Sequence, residues 1–220
     1  MQPSYHLRDT IGVAHFADCA IVLDIEADRY WQVPARLALA IARVAQPVAE
    51  PIAAQDLARL EALGLLVRGA PSAKPRLRAS TVPVTVSALD TRSPDANAAA
   101  FVASVLWYAA RGWVAVRTVR LARLLMAIER RRPTARSATV DLGVLARAFV
   151  RYRRLLPIEP VCLADSLGFL AMAARYGHYP NLVFGVTAHP FSAHCWVQAG
   201  ETVLNDSIDH VTAFTPILAV

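Results

Sequence analysis

The pattern of the sequence changes at Pro180, and this change limits the fold more than any other feature. Before it, an apolar run from Cys162 to about Tyr176 predicts a helix, which Gly177 would end. After it come three short runs of β type, at residues 182–186, 193–198 and 202–205. A helix followed by neighbouring short strands indicates an α+β fold for this part of the chain.

Three reactive side chains lie in this region: Cys162, His194 and Asp206. A thiol, an imidazole and a carboxylate in this order can act as nucleophile, base and orienter of the base. Cys162 follows Pro160 closely, so it should lie in the first turn of its helix. There the unpaired N–H groups and the positive end of the helix dipole favour a thiolate and can donate to an oxyanion. These residues predict a cysteine hydrolase or acyltransferase.

A hairpin would bring His194 and its orienter together. Residues 192–198 and 202–206 can pair around a three-residue loop. The predicted pairs are Gln198 with Thr202, Trp196 with Leu204, and His194 with Asp206. Directly opposed side chains have Cβ atoms about 5 Å apart. A two-residue turn would place Asn205 opposite His194 instead, so both residues are candidates and we prefer Asp206.

The other features of this region that involve cysteine and histidine give weaker indications of function. Cys195 follows His194 in a strand, so its side chain should pack on the opposite face. The histidines and cysteines of this region lack the paired spacing of a zinc site, so we expect no metal, and no cofactor motif is visible. Three cysteines without a CxxC pair argue against a disulfide scaffold and fit a reducing compartment.

The N-terminal part predicts a small antiparallel sheet followed by helices. The predicted strands are residues 13–16, 20–25 and 29–33. One helix should run from Pro34 to about Val44, and a second should include Leu57, Leu60 and Leu63. Residues 65–67 resemble a short closing strand or wing. This pattern is that of a winged-helix-type module.

Proline, glycine and serine are frequent between residues 69 and 98, which indicates a domain boundary. We predict an N-terminal domain at 1–75, a linker at 76–96 and a C-terminal domain at 97–220. Residues 97–128 should form one helix or two, with a break at Gly112 in the second case, and another helix should cover about 140–155.

The longest apolar stretch, Phe101 to Ile128, contains four arginines. That number is too costly for a lipid-facing span. No signal peptide follows Met1. We therefore expect a cytoplasmic protein without a membrane partner.

The net charge of +6 favours acidic partners, and nucleic acid is the first alternative to an enzyme. The second N-terminal helix would then be the recognition helix that contacts the bases. It offers Gln55 and Arg59 beside Asp56 and Glu61, which makes a poor surface for phosphates. A non-enzymatic winged-helix protein that binds nucleic acid is thus the less favoured interpretation.

The residues from Cys162 to Val186, the run PFSAHCWV at 190–197 and the run VLND at 203–206 resemble the B protein family of lasso peptide biosynthesis, a transglutaminase-like, papain-like cysteine peptidase. The resemblance covers about residues 155–210. It implies that Cys162 is the nucleophile, His194 the base and Asp206 the third member. At Cys195 this family would be expected to carry a small residue such as Ala.

The resemblance also implies a function and a partner. The chain would cleave the leader of a precursor peptide from its core. An ATP-dependent, asparagine-synthetase-like lasso cyclase would then use the freed amine. The second enzymatic interpretation is a transglutaminase-like acyltransferase that forms a new amide.

The order of elements in about residues 5–70 resembles a PqqD-like precursor recognition element. In such elements the leader adds as a strand beside the third strand and packs against a helix. The resemblance places peptide-binding residues on the third strand and the second helix: Arg29, Tyr30, Trp31, Gln32, Val33, Leu57 and Leu60.

Overall fold

The computed structural model describes residues 5–45, 51–69, 82–90, 98–130 and 138–220. The N-terminal part contains β1 (Tyr5–Leu7), β2 (Ile11–His15), β3 (Cys19–Asp24), β4 (Arg29–Pro34), α1 (Ala35–Ala45), α2 (Ala54–Ala62) and β5 (Leu66–Arg68). The C-terminal part contains β6 (Val86–Ser87), a short 3-10 helix (Ala98–Phe101), α3 (Val102–Thr118), α4 (Leu121–Arg130), α5 (Leu142–Arg153), α6 (Cys162–Arg175), β7 (Asn181–Ala188), β8 (Phe191–Ala199), β9 (Thr202–Val203), α7 (Ile208–Thr212) and β10 (Thr215–Ala219). The chain is a mixed α+β protein, as predicted.

The predicted three-stranded antiparallel sheet is confirmed, with the order β2–β3–β4. Its central strand, β3, is buried along its whole length. Ala20 and Val22 pack with α1 and α2, whereas Ile21 and Leu23 join the core of the C-terminal part. Because side chains alternate along a strand, each face of this sheet is covered by a different layer. The run of apolar residues in β3 follows from this double burial.

Strand β4 lies at the edge of this sheet and, among the described residues, pairs only with β3. The predicted closing strand is observed as β5. It pairs with β1 in a separate two-stranded sheet, so no strand in the described part of the chain pairs with the outer edge of β4.

The C-terminal sheet has the order β10–β7–β8–β9–β6. Its edge strand β6 lies inside the predicted linker 76–96 and runs parallel to β9, with Val86 opposite Thr202. Thr85 N and Ala88 N extend this pairing by donating to the backbone carbonyls of Glu201 and Val203. The described part of the predicted linker, residues 82–90, is therefore tied into the C-terminal sheet.

Helix α6 packs closely against α3, and two glycines permit the approach. A Cβ added to Gly112 would lie 2.1 Å from the carbonyl oxygen of Ala164, and one added to Gly168 would lie 2.7 Å from that of Tyr108. The stretch forms two helices, but the break is not at Gly112, since α3 runs through that residue and ends at Thr118. Close backbone packing, and not a turn, explains this glycine.

The helical stretch Ala99–Thr118 is long and apolar enough to cross a membrane by length and composition alone. Core helices of soluble proteins meet the same criterion, so this is weak evidence. The expected absence of a membrane partner and the cytoplasmic location remain predictions.

The N-terminal sheet rests directly on the C-terminal part. A Cβ on Gly12 of β2 would lie 2.6 Å from the carbonyl oxygen of Ile217 in β10. Ala14 and Ile25 belong to the same buried cluster as Phe169. This contact holds the N-terminal sheet beside the residues that form the candidate site.

Candidate active site

Cys162 is the first residue of α6 and is half-buried. Asp165 N donates to the carbonyl oxygen of Val161, which closes the first turn at 2.9 Å. No side chain among the described residues caps this helix start. The first N–H groups and the positive end of the helix therefore lie next to the Cys162 sulfur, as the sequence predicted.

The segment that leads into Cys162 is fixed by Arg153, which is buried at the end of α5. Its Nε donates to Asp165 Oδ1 at 2.5 Å, and its Nη2 donates to the carbonyl oxygens of Ile158 and Glu159 at 3.1 and 3.2 Å. Burial raises the pKa of Asp165 although Arg153 opposes this. One guanidinium thus binds the loop before the nucleophile to the helix that carries it.

His194 lies on β8 and donates from Nε2 to Asp206 Oδ2 at 2.6 Å. Both side chains are mostly buried, with 15% and 20% of their surfaces exposed. With Nε2 engaged, Nδ1 is the nitrogen that remains for Cys162, and the two side chains are hydrogen-bonded. The three residues singled out from the sequence therefore come together in this structure.

The strand register that predicted this contact is wrong. The observed pairs are Gln198 with Val203 and Ala199 with Thr202, around the two-residue turn of Gly200 and Glu201. Strand β9 ends at Val203, so Asp206 lies beyond the paired residues and does not oppose His194 across a ladder. The chain instead turns after β9 and brings the carboxylate back to the imidazole.

Asn205 and Ser87 hold this turn. Asn205 Oδ1 accepts from the backbone N–H of Val197 at 2.7 Å, and its Nδ2 donates to Ser166 Oγ of α6 at 3.0 Å. Ser87 Oγ donates to the backbone carbonyl of Asp206 at 2.7 Å. Of the two predicted orienters, Asp206 thus bonds to His194, whereas Asn205 ties the sheet to the helix that carries the cysteine.

The electrostatics of the three residues favour an ion pair. Hydrogen bonds from Cys195 and His194 lower the pKa of Cys162 to about 4 against the effect of burial. Burial alone would lower the pKa of His194, but its bonds to Asp206 and Cys162 raise it to about 9. Burial would raise the pKa of Asp206, yet hydrogen bonds from His194, Ser207 N and His210 keep it below its usual range. A thiolate and an imidazolium therefore coexist at neutral pH.

Cys195 is buried, as predicted, with 3% of its surface exposed. Its face of β8 is the one on which α6 packs, so its thiol hydrogen-bonds Cys162. This bond and burial raise the pKa of Cys195 and keep it protonated as a donor. The alternation of strand side chains predicted the burial, but it gave no sign that the nucleophile lies on that face.

His210 is a polar neighbour that sequence reasoning missed. Its Nδ1 donates to Asp206 Oδ2 at 2.9 Å, and its ring centroid lies 4.5 Å from that of His194. Helix α7 carries it, and Ser207 caps this helix by accepting from His210 N. The sequence feature that could have revealed it is the spacing of four residues between Asp206 and His210, with Ser207 between them as a helix cap.

Two groups of metal-ligating side chains lie close together in the described part of the chain: Asp18 with Cys19 and His189, and His194 with Asp206 and His210. In the first, His189 Nε2 donates to Asp18 Oδ2 at 3.0 Å. In the second, the hydrogen bonds given above join the same atoms.

The residues predicted to bind a peptide differ in how deeply their side chains are buried. Val33 and Leu60 lie in the core between the N-terminal sheet and its helices, with 3% and 0% exposed, so they can only support a binding surface. Leu57 is half-buried beside them. The positions on or near the open edge of β4 are Arg29, Tyr30, Trp31 and Gln32.

Arg29 lies over the ring of Trp31, with its guanidinium carbon 4.3 Å from the ring centroid. The indole N–H of Trp31 is buried and has no partner among the described residues. A buried donor without an acceptor is costly, so this edge contains an unmet hydrogen bond.

Residues 98–219, more than half of the chain, match the transglutaminase-like superfamily. No curated protein and no solved structure matches the chain. The matched region runs from the 3-10 helix before α3 to β10 and includes Cys162, His194 and Asp206. Membership indicates a cysteine-protease-like or acyltransferase-like activity. The chain belongs to the transglutaminase-like superfamily.

Proposed function

We propose that this chain is the leader peptidase of lasso peptide maturation, which binds the leader of a precursor peptide and cleaves it from the core. The observation that carries the proposal is the hydrogen-bonded series of Cys162, His194 and Asp206 at the start of α6. A thiolate paired with an imidazolium is the resting state of a cysteine hydrolase.

In this proposal Cys162 attacks the carbonyl carbon that joins leader and core. The first N–H groups of α6 donate to the oxyanion that forms. His194 gives its proton to the departing amine as the C–N bond breaks, and the leader remains on Cys162 as a thioester. The neutral His194 then takes a proton from water, which attacks the thioester and releases the leader as a carboxylic acid. Asp206 holds the imidazole in one tautomer throughout.

The N-terminal sheet acts as the PqqD-like recognition element. The leader adds as a further antiparallel strand along the unpaired edge of β4. Main-chain hydrogen bonds then provide affinity, and the side chains on either face provide specificity. The indole N–H of Trp31, which has no partner among the described residues, supports this arrangement, because an acceptor on the incoming peptide would satisfy it. Binding there raises the effective concentration of the scissile bond at Cys162.

The product with its new amine is then used by an ATP-dependent, asparagine-synthetase-like cyclase. We place the reaction in the cytoplasm. Neither nucleic acid nor a membrane has a part in this proposal.

The superfamily match also favours a second candidate, acyl transfer to an amine. Both reactions pass through the same thioester on Cys162, so the geometry suits either. Mass analysis of the products separates them: a free leader carboxylate means hydrolysis, whereas a new amide means transfer.

The test is Cys162→Ala in the full chain, with Cys19→Ala as the matched control. Cys19 is buried in the N-terminal sheet, so the two variants make the same chemical change in different places. Each is incubated with short peptides encoded in neighbouring reading frames and with a peptide library. Cys162→Ala should abolish cleavage and retain leader binding, and Cys19→Ala should retain both. Cleavage by Cys162→Ala, or no Cys162-dependent cleavage of any peptide by the unaltered chain, rejects the proposal.

A further inference from the structure

Tyr30 lies at the junction of the two parts of the molecule. It is on β4 opposite Leu23, and its side chain faces the C-terminal part, unlike those of Trp31 and Val33, which alternate to the other face. It packs against the buried cluster that contains Cys195 and is contacted by Cys162. A residue of the proposed recognition strand therefore reaches the neighbourhood of the nucleophile.

The partner of Tyr30 across the junction is Phe191, the first residue of β8. Their ring centroids lie 5.5 Å apart at 57°, an ordinary geometry for an aromatic pair. Phe191 is 51% exposed, so its other side is open to solvent. The pair forms an apolar wall that is buried on one side and open on the other.

Along β8 the side chains of Phe191, Ala193 and Cys195 share a face, because side chains alternate. Cys195 touches the nucleophile, as described above. Ala193 lies between it and Phe191 and is exposed, although only a methyl group stands there. Because Ala193 is small and exposed, space is left above it between the aromatic pair and Cys195.

The surroundings of the Tyr30 hydroxyl agree with this position. Burial raises the pKa of Tyr30, and the negative charge of the Cys162 thiolate raises it further. The hydroxyl therefore stays neutral, and the wall presents an uncharged surface to an incoming peptide.

We propose that Tyr30 and Phe191 form the wall, and Ala193 the floor, of a subsite that holds an apolar side chain near the end of the leader. The N-terminal sheet would then contribute directly to substrate choice at the cleavage site, besides capturing the leader. This inference rests on the proposed function for its direction: the strand that carries Tyr30 also binds the leader, so the wall lies on the acyl side of the scissile bond.

The test uses peptidyl chloromethyl ketones, which alkylate Cys162 and need no hydrolysis. The panel varies the two residues next to the electrophile among Gly, Ala, Asp, Leu and Phe. At one of these positions the unaltered chain should react about tenfold or more faster with Leu or Phe than with Gly, the range of a hydrophobic pocket. Iodoacetamide, which has no side chain, reports the reactivity of Cys162 itself.

Three variants and a control give the comparison. Ala193→Phe fills the subsite and should remove the preference, and Phe191→Ala should weaken it, while the iodoacetamide rate stays the same in both. Tyr30→Phe keeps the ring and should keep the preference. Trp107→Ala, at an exposed aromatic residue of α3, is the control and should behave as the unaltered chain.

Each result separates this subsite from the proposed function. An apolar preference that Ala193→Phe removes supports the subsite even if no precursor is cleaved. The subsite is overturned if the unaltered chain shows no apolar preference, or if the Ala193→Phe variant keeps that preference. Either result overturns it even if leader cleavage is established. Loss of the iodoacetamide reaction in Tyr30→Phe also overturns it, because the hydroxyl would then act on the cysteine and the ring would not be a wall.

Discussion

In the described part of the chain, each of the two sheets, N-terminal and C-terminal, has a strand that lacks a neighbour along some of its length, but the two strands expose different groups there. At β4 the whole edge is unpaired among the described residues, so it offers backbone N–H and C=O groups. At β8 the pairing with β9 ends at Gln198 and Val203, and the strand beyond presents the side chain of His194 to Asp206. Backbone groups suit the capture of an extended chain, whereas side chains with shifted pKa values suit bond cleavage.

Asp206→Ala should affect the two sheets most differently, because it alters the site beside β8 and leaves the edge of β4 unchanged. Without the carboxylate His194 loses its fixed tautomer and one of the two partners that raise its pKa. Leader cleavage should fall about 10²- to 10⁴-fold, with unchanged leader affinity. Initial-rate kinetics and isothermal titration measure the two quantities.

Asp209→Ala is the matched control, because this carboxylate is exposed on α7, three residues further along. It should retain cleavage within about twofold, as is usual for surface substitutions. If Asp206→Ala also cleaves at nearly the normal rate, the orienting role assigned to Asp206 is wrong.

The sequence predicted this pair of residues through an incorrect register. Residue types and spacing pointed to His194 and Asp206 because their chemistry is carried by side chains, which the sequence shows directly. The turn of Gly200 and Glu201 shifts the ladder by one residue, and Asn205 and Ser87 then redirect the chain. Those contacts span up to 119 residues of sequence, so local patterns could not reveal them.

The second test concerns pH, which should affect cleavage and not leader capture. Since the pKa of Cys162 is lowered to about 4, the thiolate persists as the pH falls until that value is passed. Since the pKa of His194 is raised to about 9, the imidazolium persists as the pH rises until that value is passed. Cleavage should thus be level between these limits and fall about tenfold for each further pH unit on either side.

Cys195→Ala sharpens this test. It removes the hydrogen bond that contributes most to the lowered pKa of Cys162, so the acid limb should move to higher pH while the basic limb stays. The rate of iodoacetamide alkylation against pH measures the acid limb. A profile identical to that of the unaltered chain would show that the Cys195 thiol does not stabilise the thiolate.

The third test addresses the edge of β4. Trp31→Ala removes the stacked pair with Arg29 and the indole donor, and should weaken leader binding about tenfold, as interface aromatic residues do. Cleavage of a short peptide without the leader should not change. Titration of the leader and single-substrate kinetics give these values, with Trp107→Ala as the control.

Equal loss of cleavage for substrates with and without a leader would contradict the division of labour between the two sheets. So would unchanged leader affinity in Trp31→Ala.

The backbone features of the fold were the least predictable. The β-branched and aromatic residues between turn residues predicted the N-terminal sheet, and Pro160 predicted the start of α6, because both signals are local. Strand β6 carries only two residues and a long-range parallel pairing, so it could not be told from a linker. Gly112 was misread for a related reason: its role is a contact with α6, and a glycine in a helix is locally indistinguishable from a break.

The smallest expected effect is that of His210, which is hydrogen-bonded to the site through Asp206. His210→Ala removes one hydrogen bond to Asp206 Oδ2 and leaves the bond from His194. The net value of one such bond corresponds to about a two- to tenfold change, so kcat should fall within that range while KM stays the same. His210→Asn retains an N–H donor near the same place and should restore most of the loss. A fall in leader affinity, or a failure of His210→Asn to rescue kcat, would show that the imidazole contributes by packing against His194 and Phe214 and not by holding the carboxylate.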